Sequence, residues 1–210
     1  MADLSAIQEA LIAGDSGSLA SGVKNALDQG TPAGEILNSG LIAAMDIVGD
    51  RMQSGDMFIP EVLMSARCMA DAVAVLKSRL GDGDASSAGH IVIGTVKGDL
   101  HDIGKNLVVM MLESAGFEVT DLGVDVPPET FVKTLEEKNA DILALSALLT
   151  TTMPMMTQTI TALNESGLRD RIKVIVGGAP VNQDFADQVG ADGYAPDAGS
   201  ASRIAKQLCA

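Results

Sequence analysis

The stretch HIVIGTVKGDLHDIGKN, residues 90–106, decides the fold class of this chain. Its first seven residues, 90–96, are mostly apolar, which is typical of a strand buried on both faces of a parallel sheet. The segment that follows carries glycines at positions 98 and 104 and leads into a helical pattern. A buried strand, a glycine-bearing loop and a helix together form the first unit of an α/β fold.

The alternation of strand and helix continues to the end of the chain. Strands are predicted over 90–96, 117–122, 142–146, 172–176 and 193–194, and helices over 106–115, 129–138, 153–166, 181–189 and 198–208. This order predicts a doubly wound, flavodoxin- or Rossmann-like sheet of five parallel strands. Ligands of such sheets bind beyond the carboxyl ends of the strands, so the loops of interest are 97–105, 147–152 and 177–180.

The chain before residue 80 has a different, helical periodicity. Apolar residues at positions 59, 62, 63, 66, 69, 70, 73 and 76 share one helix face, and those at 37, 41, 44, 48 and 52 share another. Two shorter helices are predicted over 4–13 and 16–29. We therefore expect a four-helix bundle over 1–80, a glycine- and serine-rich linker over 81–89, and the α/β domain over 90–210.

Composition and charge narrow the classes of function. The net charge is −14, and its excess of acidic residues is shared equally by residues 1–88 and 89–210. A surface this acidic, with no cluster of Lys and Arg, argues against a nucleic-acid partner. No apolar run is long enough for a membrane span, and no signal peptide is recognisable. With only Cys68 and Cys209 as cysteines, we expect a cytoplasmic protein without a disulfide framework.

His101 is the candidate metal ligand in the first loop. It is one of two histidines in the chain, and Asp99 lies close enough in sequence to hydrogen-bond one ring nitrogen and leave the other free. A single histidine in a loop is more often a surface residue than a ligand, so this alternative stays open. No constellation of His, Cys or carboxylates completes a zinc or iron site. A metal here would need most of its ligands from a macrocycle.

The same loop allows a phosphate-binding interpretation, because Gly98 and Gly104 precede a helix. It lacks both the Gly-x-Gly-x-x-Gly spacing and the Gly-Lys-Ser/Thr ending of nucleotide-binding loops. The phosphate interpretation is therefore the weaker of the two.

Residues 99–104 match the Asp-x-His-x-x-Gly motif of B12-binding domains, and two further motifs follow in the order that this family has. Ser146-Ala147-Leu148 matches its Ser-x-Leu motif, and Gly177-Gly178 matches its double glycine. The stretch GDMFIPEV, residues 55–62, is similar to the helical cap domain of the family. The resemblance spans essentially the whole chain and is closest to the corrinoid proteins of methyltransferase systems.

The resemblance implies cobalamin or a related corrinoid as cofactor, bound base-off/His-on. His101 would replace the cofactor's own lower base on the cobalt, and the nucleotide tail would enter a slot that Gly104 keeps open. The cofactor-binding residues carried over with the motifs are Asp99, Leu100, His101, Asp102, Ile103, Gly104, Ser146, Leu148, Thr150, Gly177, Gly178 and Ala179.

The resemblance also implies a proton relay from His101 through Asp99 to a hydroxyl group. In methionine synthase that hydroxyl belongs to a serine six residues after the first residue of the Ser-x-Leu motif, and the corresponding position here is Thr152. The alternative is that the threonines at 150–152 only cap the next helix.

In the helical domain, Met57, Phe58 and Val62 are the residues that the resemblance places over the reactive face of the corrinoid. The alternative for each is an ordinary position in the core of the bundle. Cap and cofactor domain must separate to expose the cobalt, so the linker over 81–89 is predicted to be a hinge.

The implied function is that of a methyl carrier, which is not catalytic alone. Cobalt(I) would accept a methyl group from a substrate on one methyltransferase, and methyl-cobalt(III) would donate it to tetrahydrofolate or a thiol on another. A substrate-specific corrinoid methyltransferase, a second methyltransferase and a reductive activase are the implied partners. The alternatives are the B12 subunit of a radical mutase, a B12-dependent sensor, and a flavodoxin-like domain without corrinoid.

Overall fold

The computed structural model describes residues 4–77 and 87–209. The chain divides into two compact units, residues 1–86 and 87–210. The predicted linker lies outside the described residues up to position 86, and its last three residues begin the second described range. Within the two described ranges, no helix has both the length and the apolar character that a membrane span requires.

The first unit is helical. Its elements are α1 (Ser5–Ile12), α2 (Ser16–Asp28), α3 (Ala33–Glu35), a π-helical segment (Ile36–Ile42), α4 (Ala43–Ser54) and α5 (Ile59–Lys77). Helix α3, the π-helical segment and α4 follow one another without a break in helical backbone, so residues 4–77 form four continuous helical segments. Helix α1 packs against α2 and α4, and α5 packs against α2 and α4. The predicted bundle of four helices is thereby confirmed.

The π-helical segment is a feature that the periodicity did not predict. Its Gly40 lies against α1, where an added Cβ would stand 3.4 Å from a methyl group of Ile7. The side-chain amide of Gln8 donates a hydrogen bond of 2.8 Å to the carbonyl of Ser39, which belongs to the same segment. Both contacts come from α1, so the widened turn depends on tertiary packing.

The second unit is a five-stranded parallel sheet of order β2-β1-β3-β4-β5. Its elements are β1 (His90–Thr95), α6 (Ile103–Ser114), β2 (Glu118–Asp121), α7 (Pro128–Lys138), β3 (Ile142–Ser146), α8 (Met153–Glu165), β4 (Lys173–Gly177), α9 (Gln183–Val189), β5 (Gly193–Ala195) and α10 (Ala198–Cys209). The order is that of flavodoxin-like folds, as predicted.

Hydrophobic cores lie on both faces of the sheet. On one face Val92 and Leu143 belong to a cluster with residues of α7, α8 and α9, including Phe131. On the other face Ile91 and Ile142 belong to a cluster with residues of α6 and α10. Because successive residues of a strand face opposite sides, a strand covered on both sides must be continuously apolar, as residues 91–93 are.

Helix α6 begins at Ile103, three residues earlier than predicted. Asp102 stands at its N-cap, and the carbonyl of Asp102 accepts a hydrogen bond of 2.7 Å from the amide of Asn106. Gly104 and Lys105 therefore lie in the first turn of the helix and not in the loop that the sequence predicted. The low helix propensity of glycine concealed this start.

Candidate functional site

The site lies where the strand order of the sheet reverses, between β1 and β3. Thr95, Ser146, Gly177 and Ala195 are paired in one row across the carboxyl ends of β1, β3, β4 and β5. The loops that follow β1 and β3 leave the sheet side by side at this row. A diverging pair of loops of this kind forms the ligand-binding crevice of doubly wound sheets.

Asp99 is the centre of the site. Its side chain is fully buried, and one carboxylate oxygen accepts hydrogen bonds from Nδ1 of His101 at 2.7 Å and from the His101 amide at 3.1 Å. The other oxygen accepts from the Thr152 hydroxyl at 2.7 Å and from the amides of Leu148 and Leu149 at 2.8 and 3.3 Å. His101, Asp99 and Thr152 thus form one hydrogen-bonded chain.

This environment keeps Asp99 ionised. Burial by itself raises the pKa of the carboxyl group, but the hydrogen bonds from Thr152, from the ring and amide of His101 and from the Leu148 amide outweigh it. The pKa of Asp99 is consequently held well below its usual range. An ionised carboxylate only accepts hydrogen bonds, so the Nδ1 of His101 must carry a proton.

The imidazole of His101 is held on one side and open on the other. Nδ1 faces the buried Asp99, while about half of the side-chain surface is exposed. Nε2 makes no hydrogen bond to any residue in the ranges 4–77 and 87–209, and with Nδ1 protonated it carries a free lone pair. The Thr95 hydroxyl donates a 2.8 Å hydrogen bond to the His101 carbonyl, which also fixes the backbone. This arrangement leaves Nε2 available as a possible metal ligand.

Exposed apolar side chains accompany the imidazole. Leu100 and Ile103 are 72% and 83% exposed, and Leu148 and Leu149 of the second loop are also exposed. The amides of Leu148 and Leu149 donate hydrogen bonds to Asp99, so the loop after β3 contacts the loop after β1. Large apolar side chains that border a polar group in this way mark a binding surface for an apolar partner. Leu149 was not predicted, although it directly follows the Ser-x-Leu motif.

The double glycine is required by the protein's own backbone. A Cβ on Gly178 would lie on top of the Ala147 carbonyl oxygen, and φ of this residue is +128°. A Cβ on Gly177 would lie 2.9 Å from the carbonyl oxygen of Ala195. The backbone of β5 and of the loop after β3 therefore approaches the end of β4 more closely than a side chain allows.

Gly104 has the opposite surroundings. Among the described residues, nothing lies within 4 Å of the position that a Cβ would take there. The glycine at the start of α6 thus faces open space beside the histidine loop, at the position that the family resemblance assigns to an open slot.

The other predicted residues of the α/β unit line this end of the sheet without fixed polar partners. Ser146 is partly buried, whereas Thr150 and Ala179 are exposed. Neither hydroxyl group makes a side-chain hydrogen bond to the described part of the chain. Asp102 is exposed, and its carboxylate accepts a hydrogen bond of 3.3 Å from the side chain of Asn106.

The predicted residues of the helical unit differ in exposure. Met57 is 7% exposed and Val62 is fully buried, whereas Phe58 is 70% exposed. The backbone amide of Phe58 donates a 2.8 Å hydrogen bond to the Glu61 carboxylate, which fixes the start of α5. Phe58 is therefore the one of the three that presents a large apolar surface.

Two polar groups near the site were missed from the sequence. Lys105 is almost completely buried, and its ammonium group contacts Asp121 at 2.5 Å and the side-chain oxygen of Asn106 at 2.7 Å. Asp125 accepts a hydrogen bond from the amide of Gly98. Neither belongs to a predicted motif, and the interactions with Asp121 and Gly98 join segments that are distant in sequence.

The described residues contain no group of three or more His, Cys, Asp or Glu side chains that could hold a metal ion. Among these residues His101 is the candidate ligand, and a metal bound there would need further ligands from outside them.

Comparison with known proteins identifies the cofactor class. Residues 89–202 match the family model described as a B12 binding domain, and residues 4–77 match a second model of the same description. A dimethylamine corrinoid protein of Methanosarcina acetivorans is 50% identical over 84% of this chain and 83% of its own length. A corrinoid protein of Desulfitobacterium hafniense is 41% identical over 99% of this chain and 98% of its own.

Solved structures agree with these matches. A cobalamin-binding protein from Desulfitobacterium hafniense superimposes with a TM-score of 0.86 and 36% identity, covering 98% of both chains. A chain of the methanol:cobalamin methyltransferase complex from Methanosarcina barkeri superimposes with a TM-score of 0.85 and 31% identity, covering 98% of this chain and 79% of that one. Because both units match B12-binding family models and corrinoid proteins align with most of its length, the chain belongs to the family of B12-binding corrinoid proteins.

Proposed function

We propose that the chain is the methyl-carrying subunit of a multi-component, corrinoid-dependent methyltransferase system. The observation that carries the proposal is the free Nε2 of His101, whose ring is held by the buried Asp99 at 2.7 Å. The dimethylamine corrinoid relatives and the methanol:cobalamin methyltransferase complex place close relatives in such systems.

The residues of the site fit a corrinoid. The macrocycle would bring nitrogen ligands of its own to the metal, and the protein would add the Nε2 of His101 as one further ligand. Leu100, Ile103, Leu148 and Leu149 offer apolar surface around that nitrogen. The open space at Gly104 accommodates an additional group beside the ring. When bound, the corrinoid supplies a cobalt centre that can accept and donate a methyl group.

In this proposal each residue has a defined role toward the cofactor. His101 would ligate the cobalt through Nε2 in place of the cofactor's own base, in the base-off/His-on mode. Asp99 fixes the Nδ1–H tautomer and raises the basicity of Nε2, so the ring would be a stronger electron-pair donor to a metal. The hydroxyl of Thr152 donates a hydrogen bond to the Asp99 carboxylate and thereby fixes its orientation.

The remaining site residues bind the nucleotide tail of the corrinoid. Gly104 leaves the entrance of the slot free. The hydroxyl groups of Ser146 and Thr150, which have no side-chain hydrogen-bond partner among the described residues, would be available to hydrogen-bond the tail, and Leu148 and Ala179 would line it. Gly177 and Gly178 allow the backbone of neighbouring loops to close around it.

In this proposal the helical unit would act as the cap of the cofactor, and Phe58, which is exposed, would supply the apolar contact. Apolar cover excludes water from a strongly nucleophilic centre. We propose residues 1–80 as the cap, 90–210 as the corrinoid-binding domain and 81–89 as the hinge between them. Opening at this hinge lets a methyltransferase reach the cofactor.

Three partners are proposed. One methyltransferase holds the methyl donor, a second passes the methyl group to tetrahydrofolate or a thiol, and a reductive activase restores the reduced cofactor. The dimethylamine relatives make a methylated amine the first donor to test. Their corresponding donor enzyme is the partner with which to begin.

The test is spectroscopic. Purified protein is reconstituted with a cobamide, and the absorption spectrum of wild type is compared with those of His101→Ala and His90→Ala. His90 is the other histidine of the chain and makes a 2.8 Å hydrogen bond to Thr120, so it is the matched control. We expect His101→Ala alone to lose the histidine-ligated spectrum. An unchanged spectrum in His101→Ala would overturn the ligand assignment.

Function is tested with the wild-type holoprotein. It should become methylated by a methylamine with its donor methyltransferase and should then lose the methyl group to an acceptor enzyme. A holoprotein that accepts no methyl group from methyl iodide after reduction, and that prefers adenosylcobamide, would contradict the carrier role.

A further inference from the structure

We infer that Asp125, in the loop after β2, is a positioning residue that holds Asp99 and through it the imidazole of His101. The carboxylate of Asp125 accepts a hydrogen bond of 2.7 Å from the amide of Gly98. The backbone amide of Asp125 donates a hydrogen bond of 3.0 Å to the carbonyl of Asp99. One residue thus binds the histidine loop on both sides of the bond between Gly98 and Asp99.

The backbone of Asp125 is in an unusual conformation. Its φ is +54°, and it is one of two non-glycine residues with positive φ in the described part of the chain. The left-handed region is unfavourable for residues with a Cβ, although aspartate and asparagine tolerate it better than others. Residues held in such a conformation are commonly found where the surroundings fix a functional geometry.

The loop that carries Asp125 is anchored to the end of β1. The amide of Thr95 donates to the carbonyl of Gly123 at 2.9 Å, and the amide of Val126 donates to the carbonyl of Thr95 at 3.0 Å. These bonds fix the backbone on both sides of Asp125. The aspartate therefore transmits a rigid position from the sheet to the histidine loop.

Asp99 is in turn held from three directions. Asp125 fixes its carbonyl, Thr152 and the Leu148 amide fix one carboxylate oxygen, and the other oxygen fixes the His101 ring. We infer that loss of the Asp125 carboxylate, which frees the Gly98 amide, lets the adjacent Asp99 backbone rotate and moves its carboxylate away from Nδ1. Asp125 is exposed and makes no hydrogen bond to the imidazole, so its effect on His101 passes through Asp99.

The tautomer of His101 reports this effect without any cofactor. In the wild type, Asp99 selects the Nδ1–H form of the ring. Without its alignment, a half-exposed imidazole populates both tautomers. The chain has two histidines, so nitrogen NMR of the imidazole rings in the apoprotein separates His101 from an internal reference, His90.

Three variants isolate the side-chain contact from the backbone strain. Asp125→Asn keeps an acceptor oxygen and tolerance for positive φ. Asp125→Gly removes the acceptor and also relieves the strain, so it is expected to fold. Asn139→Gly is the matched control. Asn139 stands at the end of α7 and has a φ of +48°, and its side chain accepts a hydrogen bond of 2.6 Å from Arg171.

We expect Asp125→Asn and Asn139→Gly to retain the wild-type pattern of both rings. Asp125→Gly should convert His101 to a mixture of tautomers, leave His90 unchanged, and lose protection of the Gly98 amide against hydrogen exchange. An Asp125→Gly protein with the wild-type His101 tautomer would overturn the inference, as would loss of the tautomer in Asn139→Gly.

The meaning of this inference for cofactor binding rests on the proposed function. In reconstituted protein, Asp125→Gly should reduce affinity for cobamide by about tenfold or more, as other changes to residues that orient a metal-binding histidine do. Corrinoid binding by wild type tests the proposed function, and the His101 tautomer in the Asp125→Gly apoprotein tests the role of Asp125. Failure of wild type to bind a corrinoid would refute the proposed function, whereas an unchanged apoprotein tautomer in Asp125→Gly would refute the role of Asp125.

Discussion

The hydroxyl of Thr152 donates a hydrogen bond of 2.7 Å to the Asp99 oxygen opposite the one that binds His101. Both residues are buried, and 53 positions of sequence separate them. Thr152 stands at the N-cap of α8, yet its side chain does not cap the helix. The hydroxyl therefore serves the carboxylate and not the helix terminus.

Removal of this hydroxyl should cost stability even in the apoprotein. Thr152→Val retains the shape of the side chain but leaves a buried, ionised carboxylate with one donor fewer, so we expect a loss of about 2 kcal/mol in free energy of unfolding. Thr152→Ser keeps the donor and loses one methyl group, at about 1 kcal/mol. Urea unfolding of wild type, Thr152→Ser and Thr152→Val measures the three free energies of unfolding, which we expect to decrease in that order. Equal stability of Thr152→Val and wild type would contradict it.

Substitution of Gly104 should affect cobamide binding without lowering the stability of the apoprotein. Gly104→Ala places its Cβ in open space within a helix, so the apoprotein should be as stable as wild type or up to about 1 kcal/mol more stable. The same methyl group should weaken cobamide binding, because it occupies the proposed slot. Urea unfolding and cobamide titration measure the two effects. Unchanged cobamide affinity would remove Gly104 from the slot.

Gly178→Ala is the contrasting change. Its Cβ would collide with the Ala147 carbonyl oxygen, and its φ of +128° is unfavourable for alanine. We expect a loss of at least about 3 kcal/mol in the apoprotein, from steric and backbone strain together. Near-wild-type stability in urea would show that the loops can move apart without cost.

The sequence predicted the parts of this site that depend on local pattern. Continuous apolar strands such as 91–93 and the strand–helix alternation indicated a doubly wound sheet, and the sheet placed His101 at its ligand-binding end. The link from Asp99 to Thr152 was expected only through a family resemblance, because nothing local pairs residues so far apart. Lys105 and Asp125 escaped prediction for the same reason, since their partners Asp121 and Gly98 belong to other segments.

Lys105 should contribute to stability through its ion pair. Its side chain is 1% exposed, and that of Asp121 is 32% exposed. Lys105→Met keeps the length of the side chain but leaves Asp121 without its counter-charge, so we expect a loss of about 2 kcal/mol, less than for a fully buried pair. A double-mutant cycle with Asp121→Asn should recover part of that loss. Additive effects in the cycle would show that the pair is not coupled.

The surface pair Lys133–Glu137 is the matched control for Lys105. Its charged atoms lie 3.7 Å apart, and both side chains are mostly exposed. Because exposed ion pairs contribute little, Lys133→Met should change the free energy of unfolding by less than about 0.5 kcal/mol. A cost equal to that of Lys105→Met would contradict the assignment of the effect to burial.

Asp15 should make the stability of the helical unit depend on acid pH. It stands at the N-cap of α2 and accepts hydrogen bonds from the amide of Ser18 at 3.0 Å and from its hydroxyl at 2.7 Å. These two bonds, the amide first, lower the pKa of Asp15 in the folded chain. A carboxyl group whose pKa is lower when folded stabilises the protein above its unfolded pKa, and this contribution disappears as the pH falls through the folded pKa.

The advantage of wild type over Asp15→Ala in free energy of unfolding should therefore be constant near neutral pH and shrink below about pH 4. Asp15→Asn keeps the capping oxygen without a titrating group, so its difference from Asp15→Ala should not follow the same curve. Urea unfolding of the three proteins over a pH series measures both differences, and a wild-type advantage that persists unchanged into strong acid would refute the capping role of the carboxylate.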